Sequence, residues 1–237
     1  MYQTRRTYIQ PEMKMAELID ENYSLLLLLQ HFQIDFAVGD KTVAQLCEEY
    51  SGDLPVFIII SNLYNGFYPN QKEIGAISNI AEIIRFLQNS HHYYKYDKYP
   101  EIKEYLNILH ERHNTDAILL IEKFFNTYFE EVLEHLDYEE DVAFPYFSKL
   151  LGNDFNGSKS AFSVNEYREH HTDIETKLTD LKNLLLRHIT IKDDLTIRRK
   201  FLYSLFELEA DLQIHSDIEE LILLPLVESI ENGKQYG

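Results

Sequence analysis

Two stretches of the chain repeat one arrangement of metal-ligating side chains. His135-Leu-Asp-Tyr-Glu139-Glu140 is followed by Pro145 ten residues after its histidine, and His215-Ser-Asp-Ile-Glu219-Glu220 by Pro225 ten residues after its own. Residues four apart on a helix lie one turn above each other on the same face, so each His-x-x-x-Glu offers an imidazole nitrogen and a carboxylate to one point in space. Two such helices facing each other can surround a pair of metal ions. Imidazole binds iron without the strong electron donation of a thiolate, and a carboxylate can bridge two ions while offsetting their charge. Calcium and magnesium sites are built from hard oxygens and do not use several histidines, whereas zinc and manganese remain compatible with the same donors. A single His-x-x-x-Glu arises readily by chance in a glutamate-rich helical protein, and a lone histidine on an apolar stripe is more often a hydrogen-bonded core residue. The duplication, with a second glutamate and the same trailing proline in both copies, is what points to metal.

Further histidines stand where two more helices could present them. Val164, Tyr167, His171, Ile174, Leu178 and Leu181 follow alternating steps of three and four, which puts His171 on the buried face and turns His170 about a third of a turn away. His91 and His92 both precede Pro100, and their neighbours Ile84, Phe86 and Tyr99 do not separate them. Cys47 is the only cysteine, which excludes intramolecular disulfides and thiolate-rich metal sites. Any metal must be held by nitrogen and oxygen. Tyr93, Tyr94, Tyr96 and Tyr99 cluster beside these histidines and read as aromatic packing, with an electron or hydrogen-bond relay as the alternative.

The elements that must position these residues are helices. With eight glycines and six prolines in 237 residues, punctuation is sparse, and apolar residues recur at helical spacing over long stretches. Three short helices are expected around residues 18–32, 43–50 and 54–63, then four long ones over about 77–110, 116–151, 163–188 and 194–231. Asp116, Ser163 and Asp193 are the expected caps. Pro100, Pro145 and Pro225 are expected to kink or end their helices. The predicted fold is all-α: a small N-terminal helical domain over residues 1–66 and an antiparallel four-helix bundle over residues 67–237. Lysine and arginine number 22 against 40 aspartates and glutamates, a formal net charge of −18, which repels phosphate backbones and argues against a nucleic-acid partner. The longest apolar run, Leu25 to Leu29, is far short of the ~20 residues of a spanning helix. No secretory leader pattern follows the two N-terminal arginines, so the sequence reads as cytoplasmic.

The paired motifs, the His-His before Tyr99-Pro100-Glu101, and Glu169-His170-His171-Thr-Asp-Ile174 together resemble the hemerythrin-like domain of the Repair of Iron Centres family. The stretch from His31 to Lys41, followed by Val43-Ala-Gln-Leu46, resembles the small helical domain that precedes the bundle in that family, so the likeness spans nearly the whole chain. It implies a hemerythrin-like bundle holding two iron ions, oxo- and carboxylate-bridged. His92, eight residues before Pro100, matches the first ligand of the family; His135, His171 and His215 match its other histidines, and Glu139 and Glu219 its bridging carboxylates. A further family histidine falls at His113, with His110 as the neighbour that could substitute. The implied role is in nitrosative and oxidative stress: repair of iron–sulfur clusters by iron donation, or removal of nitric oxide through reduction at the iron pair. Oxygen or nitric oxide would be the small ligand and damaged iron–sulfur proteins the partners. The alternative is a sensor or carrier of oxygen or nitric oxide without turnover. One departure matters: the family carries a Cys-Cys pair where this chain has Ala37-Val38, so thiol chemistry is lost there. Cys47 reads as a small buried hydrophobe, and the N-terminal domain as a packing or docking unit.

Overall fold

A computed structural model describes residues 6–113, 115–151, 164, 167, 174–189 and 193–231. The all-α expectation holds. No strand occurs among the described residues, where the only extended pairing is a single bridge between Lys14 and Thr42. The helices are α1 (Met15–Glu21), α2 (Leu25–His31), α3 (Val43–Glu49), α4 (Leu54–Tyr64), α5 (Gln71–Gly75), α6 (Ile80–Tyr93), α7 (Tyr99–His113), α8 (Asp116–Tyr138), α9 (Phe144–Leu151), α10 (Ile174–Arg187), α11 (Leu195–Ile218) and α12 (Leu224–Glu231). No helix among the described residues is long and apolar enough to cross a membrane. The expected cap Ser163 lies outside the described residues. At α8 the cap is Thr115 rather than Asp116: the Thr115 hydroxyl accepts from the Ile118 amide, and Asp116 sits in the first turn, where its charge suits the helix dipole.

The prolines do something other than kink or end their helices. Three five-residue π-helical segments, Tyr94–Lys98, Glu139–Ala143 and Glu219–Leu223, follow α6, α8 and α11. In each, the next amide, of Tyr99, Phe144 or Leu224, donates to the carbonyl five residues back, that of Tyr94, Glu139 or Glu219. The proline comes immediately afterwards. Its ring would collide with the carbonyl four residues earlier in a regular α-helix and it has no N–H to give it, so a wider turn ahead of it removes the conflict. The backbone stays in the right-handed helical region on both sides of each segment.

The residues cluster into two compact units. One comprises Met1–Ser90, Phe147–Lys159 and Ile214–Gly237; the other comprises His91–Tyr146 and Ser160–Gln213. In the first, α2 and α4 pack on the start of α6 through Phe32, whose ring lies 4.9 Å from that of Phe57 and 4.8 Å from that of Phe86. Three buried asparagines tie the N-terminal segment to α4. Asn62 accepts from the Ile9 amide at 2.8 Å, Asn22 donates to the Asn65 side-chain oxygen at 2.7 Å, and Asn65 donates to the Thr7 carbonyl at 2.9 Å. Such groups are tolerated in a core because each finds a partner. Gly66 follows with a φ of 77°, a left-handed turn that glycine adopts without strain.

The second unit is built on α7, α8, α10 and most of α11. Tyr99 stacks on Phe129 with ring centroids 3.6 Å apart, and Phe125, Ile118, Ile121, Leu106 and Leu109 fill the core beside them. Lys98 is buried, yet its ammonium donates to Glu101 at 2.6 Å and Glu207 at 2.5 Å. Burial alone pulls this lysine toward its neutral form, but the two carboxylates outweigh that and hold it protonated above its usual range.

Candidate metal centre

In α8 the buried residues Ile118, Ile121, Phe125, Tyr128, Val132 and His135 step by three and four toward its C-terminal end, and Glu139 opens the π-segment that follows. Helical spacing thus carries one apolar stripe directly into two ligand-type side chains. His135 Nε2 lies 3.2 Å from Glu139 Oε1. In α6 the buried residues Ile80, Ile84, Leu87 and His91 follow the same rhythm and lead on to Tyr94. His91 Nε2 lies 3.2 Å from Glu139 Oε2, so the two histidines address the two oxygens of one carboxylate. Glu139 is wholly buried, and the Tyr167 hydroxyl donates to its Oε1 at 2.5 Å.

Within the other unit, His215 Nε2 lies 3.3 Å from Glu219 Oε1, and both side chains are buried. The Ser90 hydroxyl lies 2.7 Å from the Leu87 carbonyl, to which it donates, and 2.8 Å from His215 Nδ1. A hydroxyl has one hydrogen, so Ser90 accepts from the Nδ1–H of His215. On His91 the outer nitrogen is similarly engaged: Nδ1 lies 2.9 Å from Glu140 Oε1 and donates to it.

The chemistry of these donors fits a metal ion. With Nδ1 engaged as the donor, as on His91 and His215, a neutral imidazole turns a lone pair outward at Nε2, and the Nε2 atoms of both point at a carboxylate oxygen. Lone pair facing anion is unfavourable until a cation stands between them. Carboxylates buried like Glu139 and Glu219 also require compensating charge. His91, His135 and Glu139 in one unit and His215 and Glu219 in the other are buried ligand-type side chains, and an all-nitrogen-and-oxygen donor set suits iron, zinc or manganese.

Some expected ligands are placed elsewhere. His92 is exposed, with its ring 4.7 Å from that of Tyr96, whereas its neighbour His91 is buried and faces Glu139. The stripe of Ile80, Ile84 and Leu87 was the signal that selects it. His113 is held by Asp194, Nε2 to Oδ2 at 2.9 Å, and its substitute His110 by Glu122 at 2.9 Å. Both end α7 in pairs with acidic residues, apart from the histidines that face Glu139. His170 and His171 lie outside the described residues. Tyr94 donates to the buried Asp211 at 2.9 Å, while Tyr96 is exposed and Tyr99 serves packing. Ser90 and Tyr167 carried no ligand-type signal in the sequence and were missed; Glu140 was noted only for its place beside Glu139.

The Hemerythrin HHE cation binding domain family matches residues 82–227. No curated protein matches the chain.

Proposed function

The chain belongs to the hemerythrin HHE cation-binding family, whose match over residues 82–227 takes in all five buried ligand-type side chains, and from that premise we propose that it holds two iron ions. His91, Glu139 and His215 would serve one ion and His135, Glu139 and Glu219 the other. Glu139 and Glu219 would be the carboxylates shared by the pair, and His171 would be a further ligand. The observation that carries the proposal is the convergence of His91 and His135 on opposite oxygens of Glu139, each at 3.2 Å. When bound, an iron pair supplies coordination positions for oxygen or nitric oxide and electrons for their reduction. The chain's own part is to hold the imidazoles in one tautomer, to balance the ions' charge with buried carboxylates, and to limit water through the apolar stripes leading into the site.

The biological role we propose is that of a cytoplasmic protein of nitrosative and oxidative stress, supporting iron–sulfur repair by donating iron or removing nitric oxide. Its support is the repeated His-x-x-x-Glu-Glu motif and the likeness to the Repair of Iron Centres family. Because Ala37-Val38 replace the Cys-Cys pair of that family, any such role rests on the metal rather than on thiols. The test has two arms. Metal analysis of the purified protein is expected to find about two irons per chain, as a two-ion carboxylate site requires. The anaerobically reduced protein is then mixed with nitric oxide, or with a cluster-free iron–sulfur protein. Nitrous oxide, or iron transferred to the acceptor, supports the repair reading. A stable nitrosyl adduct with neither product makes the protein a sensor or carrier, and absence of metal rejects both.

A further inference from the structure

The three proline-marked turns align residue by residue. Counting back from Pro145 and Pro225, the π-segment begins six residues earlier, at Glu139 and Glu219, and the histidine stands ten residues earlier, at His135 and His215. Counted from Pro100, the π-segment again begins six residues earlier, at Tyr94, and position ten is Ser90. The first helix therefore repeats the backbone device of the other two but carries a serine in the place of the ligand histidine. That serine is buried, and its hydroxyl meets His215 Nδ1 at 2.8 Å while giving its own hydrogen to Leu87 O at 2.7 Å. His91, next in sequence, has its Nδ1 on Glu140 at 2.9 Å. Glu140 is the second glutamate of its motif. Its counterpart Glu220 is exposed.

We propose that Ser90 and Glu140 are positioning residues that fix His215 and His91 in the Nδ1–H tautomer, leaving Nε2 of each as the metal donor. The proposal rests on the metal-centre reading above and adds to it how the correct nitrogen is chosen. An imidazole freed from such a partner can flip or carry its proton on either nitrogen, and only one arrangement presents a lone pair toward the carboxylate. Partners of this kind govern metal affinity as well as ligand orientation. They also differ here. A carboxylate behind His91 strengthens that imidazole as a donor, whereas a neutral hydroxyl behind His215 orients the ring without adding charge.

The test uses the full chain loaded anaerobically with ferrous iron, then challenged with a ferrous chelator, with iron release followed optically. Ser90→Ala and Glu140→Ala are expected to weaken iron retention by about 10–100-fold. Ser90→Thr, which keeps the hydroxyl, is expected to restore most of it. Glu140→Gln, which keeps an acceptor but removes the charge, should fall between wild type and alanine. Thermal unfolding of the metal-free variants separates this effect from a general loss of fold, because a positioning role leaves those midpoints close to wild type. Iron retention in both alanine variants equal to wild type overturns the proposal, as does equal loss in Ser90→Thr and Ser90→Ala, which would make the effect one of packing. A wild-type chain that takes up no iron is a different result: it removes the metal-centre reading beneath the proposal and the proposal with it.

Discussion

Glu139 shows what a single side chain can be asked to do. Its two oxygens face His91 and His135, and Tyr167 donates to one of them, all without exposure to water. Glu139→Ala combined with Glu219→Ala is expected to lower bound iron from about two per chain to less than one, because both carboxylates that would offset the ions' charge are gone. Far-ultraviolet circular dichroism should remain helical, and metal analysis checks the loss. His135, Glu139, His215 and Glu219 were legible in the sequence because spacing alone puts them on two helix faces. That His91 rather than His92 is buried follows from the full run Ile80, Ile84, Leu87, whereas the family's eight-residue spacing to proline points to His92. Ser90 and Tyr167 were not legible, since a hydroxyl carries no sign of the partner it will meet across the fold. Cys47 makes a separate prediction. Burial, with Glu82 and Asp53 nearby, raises its thiol from 9.0 to about 12. The fold therefore binds this proton more tightly than the unfolded chain does, which contributes stability below pH 9.0 that is lost as pH rises toward about 12. Denaturant midpoints should fall across that window in wild type more than in Cys47→Ala, and iodoacetamide should label the native thiol far more slowly than the unfolded one.

At the scale of elements, the π-segments explain the trailing prolines. In regular α geometry Pro100, Pro145 and Pro225 would kink or end their helices, because a proline ring collides with the carbonyl four residues before it. Five-residue turns remove that collision, and two of them begin at Glu139 and Glu219. A π-turn holds one more residue than an α-turn, so deleting one should convert this turn to α geometry and set the Pro145 ring against the carbonyl four residues before it. Val142, which is exposed, is the residue to delete. The variant is expected to lose some helical content around Pro145, and iron binding should weaken by an order of magnitude or more as Glu139 is displaced from its partners. Circular dichroism and a ferrous-iron titration read the two effects separately. The helices themselves were legible from periodicity and sparse glycine. Their widened turns were not, because no residue type requires one.

At the scale of the whole molecule, the excess of acidic residues gives a formal net charge of −18, a balance expected to repel phosphate backbones. The proposed division at residue 66 makes a clear prediction. A chain beginning at residue 67 retains His91, His135, Glu139, His215 and Glu219 and should still bind iron, but at a lower thermal midpoint. Phe86 would lose its contacts with Phe32 and His31, and Asn89 its bond to the His31 carbonyl; truncating one such aromatic contact commonly costs about 3 kcal/mol or more. Calorimetry with and without iron checks both halves of that expectation. The same N-terminal helices guard a weak point in the covalent chain. Asn65 precedes Gly66, the pairing most prone to cyclise and deamidate when the backbone is loose. In the folded protein the Asn65 amide is spent on Thr7 and Asn22, and the Gly66 nitrogen on the Leu63 carbonyl at 2.8 Å. Each opening of this region exposes that bond to irreversible conversion into an aspartate or isoaspartate, which would bring a charge into a neutral amide cluster. Conversion at Asn65, resolved from that at Asn156-Gly157 and Asn232-Gly233, is therefore expected to record how often the N-terminal helices have come apart.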